Sequence, residues 1–398
     1  MLKTFITESD TYYFNSENFT LSTSSDECGI EINKENDRSI LRKVVINVSN
    51  SCNLSCVYCY ADGGNYGMTN QLMEITTANK IIEQINNNGI RCIKRLILFG
   101  GEAFLNIDVF VYLIEELSKT IEIKKVETVT NGTVLNNKVK LMIDRYHPFL
   151  TVSLDGPQLI HDKLRGKGSH RRTLKFIEYL KKIDYENFEV ASTYTRMHQK
   201  LGYPKEVIYK YFTDMDVRFH INNVFSKNKV LVVKEMEMTL DNRKRFIEQS
   251  LEDIINNNVK NYISPIVYDV LLSMIFKSKT ESFCDDIDPE TTMTFDVDGT
   301  FKSCFRFRGT HNSDKVSLFN NKENFSKCKE CWCKGMCMEC VANMIEGYSP
   351  IISEKATFIE CKKQDLMECC VYKIIELSKD KDTLSKLVNN LERFIRYA

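Results

Sequence analysis

Short apolar runs recur through the first half of the chain, and each one stops at small or polar residues. Val44-Val45-Ile46-Asn47-Val48 ends just before Asn50-Ser51-Cys52, and Leu96-Ile97-Leu98-Phe99 ends in Gly100-Gly101-Glu102. Val126 to Thr130 ends in Asn131-Gly132, and Leu150 to Leu154 ends in Asp155-Gly156-Pro157. Phe188 to Tyr194 and Val217 to Ile221 continue the series. Between runs the spacing turns helical. Phe110, Leu113, Ile114 and Leu117 fall at i, i+3, i+4 and i+7, behind Asn106 as a cap. Runs of this kind alternating with amphipathic helices predict βαβ units and a parallel sheet. The polar and glycine-rich motifs sit at C-terminal strand ends, where parallel barrels assemble their sites.

Outside this region the pattern changes. Thr11-Tyr12-Tyr13-Phe14 and Phe19-Thr20-Leu21-Ser22, with Asn15-Ser16-Glu17-Asn18 between them, read as a hairpin within an N-terminal segment, 1–43. The α/β region spans 44–222, and 223–283 is a bridging region with a helix over Lys244 to Ile255. A cysteine-rich region follows at 284–370. The segment 371–398 carries an amphipathic helix with Leu384, Leu387, Val388, Leu391 and Ile395 on one face.

Composition narrows the function. Hydrophobic residues make up 43% of 398, ample for a buried core. Lys+Arg and Asp+Glu both number 54, so no net field points to nucleic acid or an anionic membrane. The start, Met1-Leu2-Lys3-Thr4-Phe5 soon followed by Glu8 and Asp10, lacks a signal-peptide apolar stretch, and no run is long enough to span a membrane. Fifteen cysteines without an export signal favour metal binding in a reducing cytoplasm over a disulfide scaffold.

Cys52, Cys56 and Cys59 form a C-x3-C-x2-C run with no fourth cysteine at ligand spacing. Three thiolates can hold three irons of a [4Fe–4S] cube and leave the last iron open to a small molecule. A zinc knuckle, which would want another ligand, and buried structural thiols are the other readings.

With these residues the stretch from about Val44 to Cys361 resembles the radical S-adenosylmethionine (radical SAM) superfamily. The resemblance implies a partial (β/α)6 TIM-like barrel whose open iron is chelated by S-adenosylmethionine. It implies that Tyr58 packs near the adenine and that the Gly100-Gly101-Glu102 motif binds the amino group. Glycine lets backbone approach a ligand closely, and Glu102 offers a carboxylate to an ammonium. The family's proline after the glutamate is Ala103 here. Ser153 is placed to reach a ribose. His161-Asp162-x-x-Arg165 resembles the peptide-modifying branch, in which the arginine lies near the SAM carboxylate; a solvated surface pair is the other reading of Arg165. Asn131 suits a turn role as well as a ligand role.

The second constellation runs from Cys284 through Gly299-x4-Cys304 to Cys328-x2-Cys331-x5-Cys337-x2-Cys340 and Cys361. It resembles the SPASM extension, which holds two auxiliary [4Fe–4S] clusters; the gap before Cys340 is one residue short of the usual pattern. The resemblance assigns Cys328, Cys331, Cys337 and Cys361 to the second auxiliary cluster and Cys284, Cys304 and Cys340 to the first. Where some relatives supply the first with another cysteine, this chain has Lys277. Cys333 is extra and could replace Cys340 or fill that open position. Zinc is the other reading of these cysteines. Cys28, Cys92, Cys369 and Cys370 match no motif and read as buried or incidental thiols.

The expectation is therefore a cytoplasmic enzyme with three [4Fe–4S] clusters and S-adenosylmethionine. It would draw electrons from a flavodoxin- or ferredoxin-type donor and act on a ribosomally made, Cys-containing precursor peptide. An open auxiliary iron suggests a thioether crosslink from a Cys sulfur to carbon, as in sactipeptide and ranthipeptide maturases. Formylglycine-type sulfatase maturation, carbon–carbon crosslinking and a non-enzymatic zinc adaptor are the alternatives. The N-terminal segment is too short for the whole leader-binding winged-helix domain of many relatives.

Overall fold

The computed structural model describes residues 2–7, 10–16, 19–23, 37–65, 67–224, 230–233, 240–258, 263–276, 282–284, 287–288, 290–307, 316, 319–341 and 354–397, with the side chains of 276, 307, 327, 354–362 and 392–397 left out. Cys28 and Lys277 lie outside the described residues, and of Cys361 only the backbone is described. The chain divides into two compact units, 1–35 with 235–285 and 314–398, and 36–234 with 286–313. The sequence reading divides the same chain linearly.

The larger unit is α/β. Its strands are β5 (Lys43–Ser49), β7 (Leu96–Gly100), β9 (Val126–Thr130), β10 (Phe149–Ser153), β11 (Phe188–Tyr194) and β12 (Phe219–Asn223). They lie in one parallel run, in chain order. Two further strands, β13 (Thr292–Phe295) and β14 (Phe301–Lys302), extend the sheet beyond β5 to eight strands, β13 parallel and β14 antiparallel. Among the described residues the sheet ends at β12 and β14, so it is an open, partial barrel. Helices α1 (Ile75–Asn87), α2 (Ile107–Leu117), α3 (Asn137–Tyr146), α4 (Gln158–Arg165), α5 (Ser169–Lys182), α6 (Arg196–Lys200) and α7 (Lys205–Asp214) link the strands. A small parallel sheet of β4 (Ile40–Leu41), β6 (Cys92–Ile93) and β8 (Glu122–Ile123) precedes the first strands.

Strand alternation decides what faces where, because successive side chains point to opposite faces. Val44, Ile46, Val48, Leu96, Leu98, Leu150, Val152, Val190 and Phe219 join Ile81, Phe110, Leu113, Ile143 and Phe176 of the helices in one core. Each such side chain contributes about 1.5–3 kcal/mol when fully buried. The alternate positions, including Asn47, Val129, Thr151, Ser153, Glu189 and Thr193, belong to the opposite face. Asn106 occupies the N-cap position of α2, but its side chain makes no cap bond. Its Nδ2 instead donates to the Val48 carbonyl (2.9 Å) and the Met73 carbonyl (3.0 Å), tying the end of β5 to the start of α1.

The other unit has a three-stranded antiparallel sheet, β1 (Leu2–Ile6), β2 (Thr11–Asn15) and β3 (Thr20–Ser22). The hairpin is present with one strand added. Helices α8 (Leu240–Ile255) and α9 (Pro265–Phe276) and the C-terminal helices Glu354–Ser378 and Lys381–Tyr397 complete it. Phe5 and Phe14 pack edge-on against Trp332, each with ring centroids 5.9 Å apart, beside buried Cys333 and Met336. Leu387 and Leu391 are buried, whereas Val388 is 38% exposed and leaves the predicted face. The side chain of Ile395 lies outside the described residues.

Candidate active site

The cysteine run occupies the loop after β5, at the C-terminal edge of the sheet. Four neighbouring segments hold it. The β7 end continues the strand pairing into the loop: Gly101 N donates to Ser49 O (2.8 Å) and Glu102 N to Ser51 O (2.9 Å). From the β9 end, the Asn131 amide donates to Asn53 Oδ1 (2.8 Å) and reaches Cys52 Sγ (3.7 Å). Val57 N donates to Leu164 O of α4 (2.9 Å), and Tyr58 OH donates to Asp155 Oδ2 beyond β10 (2.5 Å).

The glycines make the first of these approaches possible. A Cβ on Gly101 would stand 2.7 Å from Ser51 O and 2.9 Å from Gly64 Cα. One on Gly100 would stand 2.5 Å from Ser49 O, and one on Gly64 2.6 Å from Gly101 Cα. Gly100 and Gly101 therefore let the strand end pack on the chain's own cysteine loop.

Glu102 is fully buried, and its carboxylate turns inward. Oε1 accepts from Thr130 Oγ1 (2.8 Å) and Phe104 N (3.2 Å), and Oε2 accepts from Asn131 N (2.7 Å). Burial raises its pKa despite these donors. Glu102 thus fixes the backbone of Asn131. The Asn131 Oδ1 accepts from Thr133 N (2.9 Å) and Thr133 Oγ1 (2.6 Å), so its amide is oriented towards Cys52.

A second network surrounds Asp155, which is fully buried. Arg165 donates to it twice, Nε to Oδ2 at 2.8 Å and Nη2 to Oδ1 at 3.1 Å. Thr193 N donates to Oδ1 (3.0 Å). Burial opposes the charge on Asp155, but Arg165 outweighs it and holds the carboxyl below its usual range. Arg165 is 7% exposed, so the solvated-surface reading does not hold. Its guanidinium lies 5.4 Å from the Tyr58 ring. Backbone atoms of Asp155 meet two histidines: its N–H donates to His161 Nδ1 (3.1 Å), and its carbonyl lies 2.8 Å from His198 Nε2. Burial lowers His161 to about 4, so it is neutral at pH 7.

The three thiols are partly buried and free of disulfides. Burial pushes Cys56 up to about 12 and raises Cys52 too, each sensing its neighbours' charge. Such thiols lose their protons to a bound metal, whose positive charge supplies what solvent does not. Among the described residues no group of three or more His, Cys, Asp or Glu is set to hold one metal ion. A cube spreads its thiolates over separate irons, wider than the shell of a single zinc. The donor set, three free thiols with an amide on Cys52, fits such a cluster.

The C-terminal cysteines divide. Cys284 and Cys340 lie in the smaller unit, where Glu339 N donates to Phe283 O (2.8 Å) and sets their segments side by side. Cys304 belongs to the larger unit. The extra Cys333 is next to Cys331, with Sγ atoms 3.4 Å apart. The contact draws Cys331 down and, with burial, pushes Cys333 up. Gln364 Nε2 also donates to Cys331 Sγ (3.0 Å), and burial raises Cys337 to about 11. Ser153 is buried at the end of β10. The sequence reading did not anticipate the inward turn of Glu102, nor Asn53, Thr193 and His198. Asp155 was visible only as a strand-end motif.

Residues 46–202 match the family described as the Radical SAM superfamily. The chain carries a radical SAM domain. An uncharacterized protein of Methanocaldococcus jannaschii is 28% identical over 45% of this chain, which spans only 60% of that relative's length. A cysteine-type anaerobic sulfatase-maturating enzyme of Clostridium novyi is 24% identical over 64% of this chain and 71% of its own length. A probable GTP 3′,8-cyclase of Methanococcus aeolicus is 26% identical over 72% of this chain and 93% of its own. Among solved structures, anSMEcpe with bound AdoMet is 18% identical, covers 85% of this chain and 99% of its own, and has a TM-score of 0.65. The same enzyme has been solved with a Cp18Cys peptide, at a TM-score of 0.64 and 17% identity, over 85% of this chain and 98% of its own. These solved structures share their fold with most of this chain. Among the described residues no helix is long and apolar enough to cross a membrane.

Proposed function

We propose that this radical SAM protein modifies a ribosomally made, cysteine-containing peptide, closing a thioether between a cysteine sulfur and a carbon. The observation that carries the radical step is the loop of Cys52, Cys56 and Cys59, clamped by the ends of β7, β9 and β10 and by α4. Cys52, Cys56 and Cys59 would hold a [4Fe–4S] cluster with SAM at its open iron, and the group would supply the radical chemistry that removes a hydrogen from a substrate carbon. The chain's own residues bind, orient and exclude water. Asn131 holds the Cys52 side of the loop, and Glu102 acts as a positioning residue for Asn131. Arg165 commits Nε and Nη2 to Asp155, which leaves Nη1 for an anion such as the SAM carboxylate. Tyr58, within the loop, is fixed by its hydrogen bond to Asp155. The Gly100-Gly101 backbone and Ser153 are assigned to SAM contacts.

The Clostridium novyi relative's name and the peptide bound to anSMEcpe support a peptide substrate. Thioether formation rests on Cys284, Cys304 and Cys340 holding the first auxiliary cluster with no further cysteine at Lys277. Cys328, Cys331, Cys337 and Cys361 would hold the second, with Cys333 beside Cys331. A flavodoxin- or ferredoxin-type protein would supply electrons, and the reducing cytoplasm suits the reaction.

The test is co-expression with candidate short Cys-rich precursor peptides, followed by mass spectrometry and thiol alkylation. The expected product has lost a pair of hydrogens and one alkylatable thiol. A product in which the cysteine has become formylglycine would assign the sulfatase-maturase chemistry instead. Loss of the hydrogens with every thiol still alkylatable would point to carbon–carbon crosslinking. Turnover of GTP and not of the peptide would overturn the peptide reading.

A further inference from the structure

On the sheet face opposite the helix-packed core stands a carboxylate that the proposed radical chemistry does not use. Val129, on a central strand, is 39% exposed, which a filled barrel interior would not allow. Its register partner on β10 is Thr151, and the partner of Thr151 on β11 is Glu189. Thr151 Oγ1 donates to Glu189 Oε1 (3.1 Å), and His220 Nδ1 on β12 lies 3.4 Å from the same oxygen. The next row towards the cysteine loop is Ser153, Ala191 and His220. Two of those three are small, so they leave space over the carboxylate. The Glu189 and His220 side chains keep 18% and 24% exposure, so the pair is reachable. Nearby cations are otherwise engaged. Arg218 donates to the carbonyls of Glu186 (3.1 Å) and Phe188 (2.9 Å), and Lys125 pairs with Glu127 (3.2 Å).

We infer that Glu189, with Thr151 and His220, forms the floor of a substrate subsite that takes a cationic side chain, the ammonium or guanidinium of a peptide lysine or arginine. This rests on the peptide reading above and deepens it. A carboxylate braced by a hydroxyl and an imidazole, at the foot of a slot walled by Val129, Ser153 and Ala191, matches a long apolar stem ending in a charge. Above it Thr193 N joins the Asp155 network, so a side chain seated on Glu189 would hold the peptide backbone near the radical site.

The test uses the holoenzyme with histidines labelled at Cε1 and n-butylguanidinium as probe. The chain has six histidines, so a His220→Gln variant assigns the signal. The expected result is a saturable shift of the His220 resonance with n-butylguanidinium and none with neutral n-butylurea. Glu189→Gln, which keeps the shape, should weaken the probe at least about tenfold. Ala191→Leu, which keeps the charge and fills the slot, should abolish the shift. Equal response to both probes, or unchanged affinity in Glu189→Gln with a native melting curve, would overturn the subsite. No turnover is involved, so a failed peptide assay and a failed probe titration are separate outcomes.

Discussion

Asp155 carries more of the site than its motif suggests. Its carboxylate accepts from Arg165, Tyr58 and Thr193, and its backbone meets His161 and His198. None of this is legible in sequence, because the partners come from four segments that only the fold brings together: the cysteine loop, α4, β11 and α6. The Asp155→Asn change leaves a buried guanidinium without its counter-charge. It should destabilise the protein by about 3–5 kcal/mol at pH 7, read from urea unfolding. The pH dependence has a definite sign. A carboxyl held below its ordinary value of 3.8 contributes stability that is present above that pH and lost as pH falls through the lower folded value. The gap between wild type and variant should therefore narrow below pH 3.8. A gap that is constant with pH would mean that Arg165 does not depend on that charge. Glu102 teaches the converse lesson: its carboxylate was legible as important, but its burial and inward turn were not.

At the scale of elements, the strands were legible because their core face keeps alternate positions apolar, and β5 is buried along its whole length and reads as a continuous apolar run. The hairpin β13–β14 was not. It is short, half threonine and aromatic, and sits inside what reads as cysteine spacing. Gly299, noted there as a motif position, adopts φ +83 between the two strands, a backbone conformation that suits glycine. The Gly100-Gly101 end of β7 was legible as a close approach, but the partner it approaches is the cysteine loop itself. Gly101→Ala should push that loop off β7. The expected outcome is a folded protein by circular dichroism that binds less iron on anaerobic reconstitution. Wild-type iron content and SAM binding would show that the 2.7 Å approach to Ser51 O is not needed.

For the whole molecule, the class and the radical SAM domain were readable from one loop and the strands around it, but the division into units was not. The segment 286–313 belongs with the barrel and 314–398 with the N-terminal sheet, so the chain leaves the barrel and returns. Local composition marks neither crossing. The chemistry of the molecule rests on Cys52, Cys56 and Cys59, and the most direct measurement is 5′-deoxyadenosine formed from SAM with dithionite under anaerobic conditions. The wild-type protein should form it, and the triple Cys→Ala variant should lose all of it together with about four irons per chain. 5′-Deoxyadenosine from the triple variant, or none from fully reconstituted wild type, would contradict the assignment of this loop as the radical-generating site.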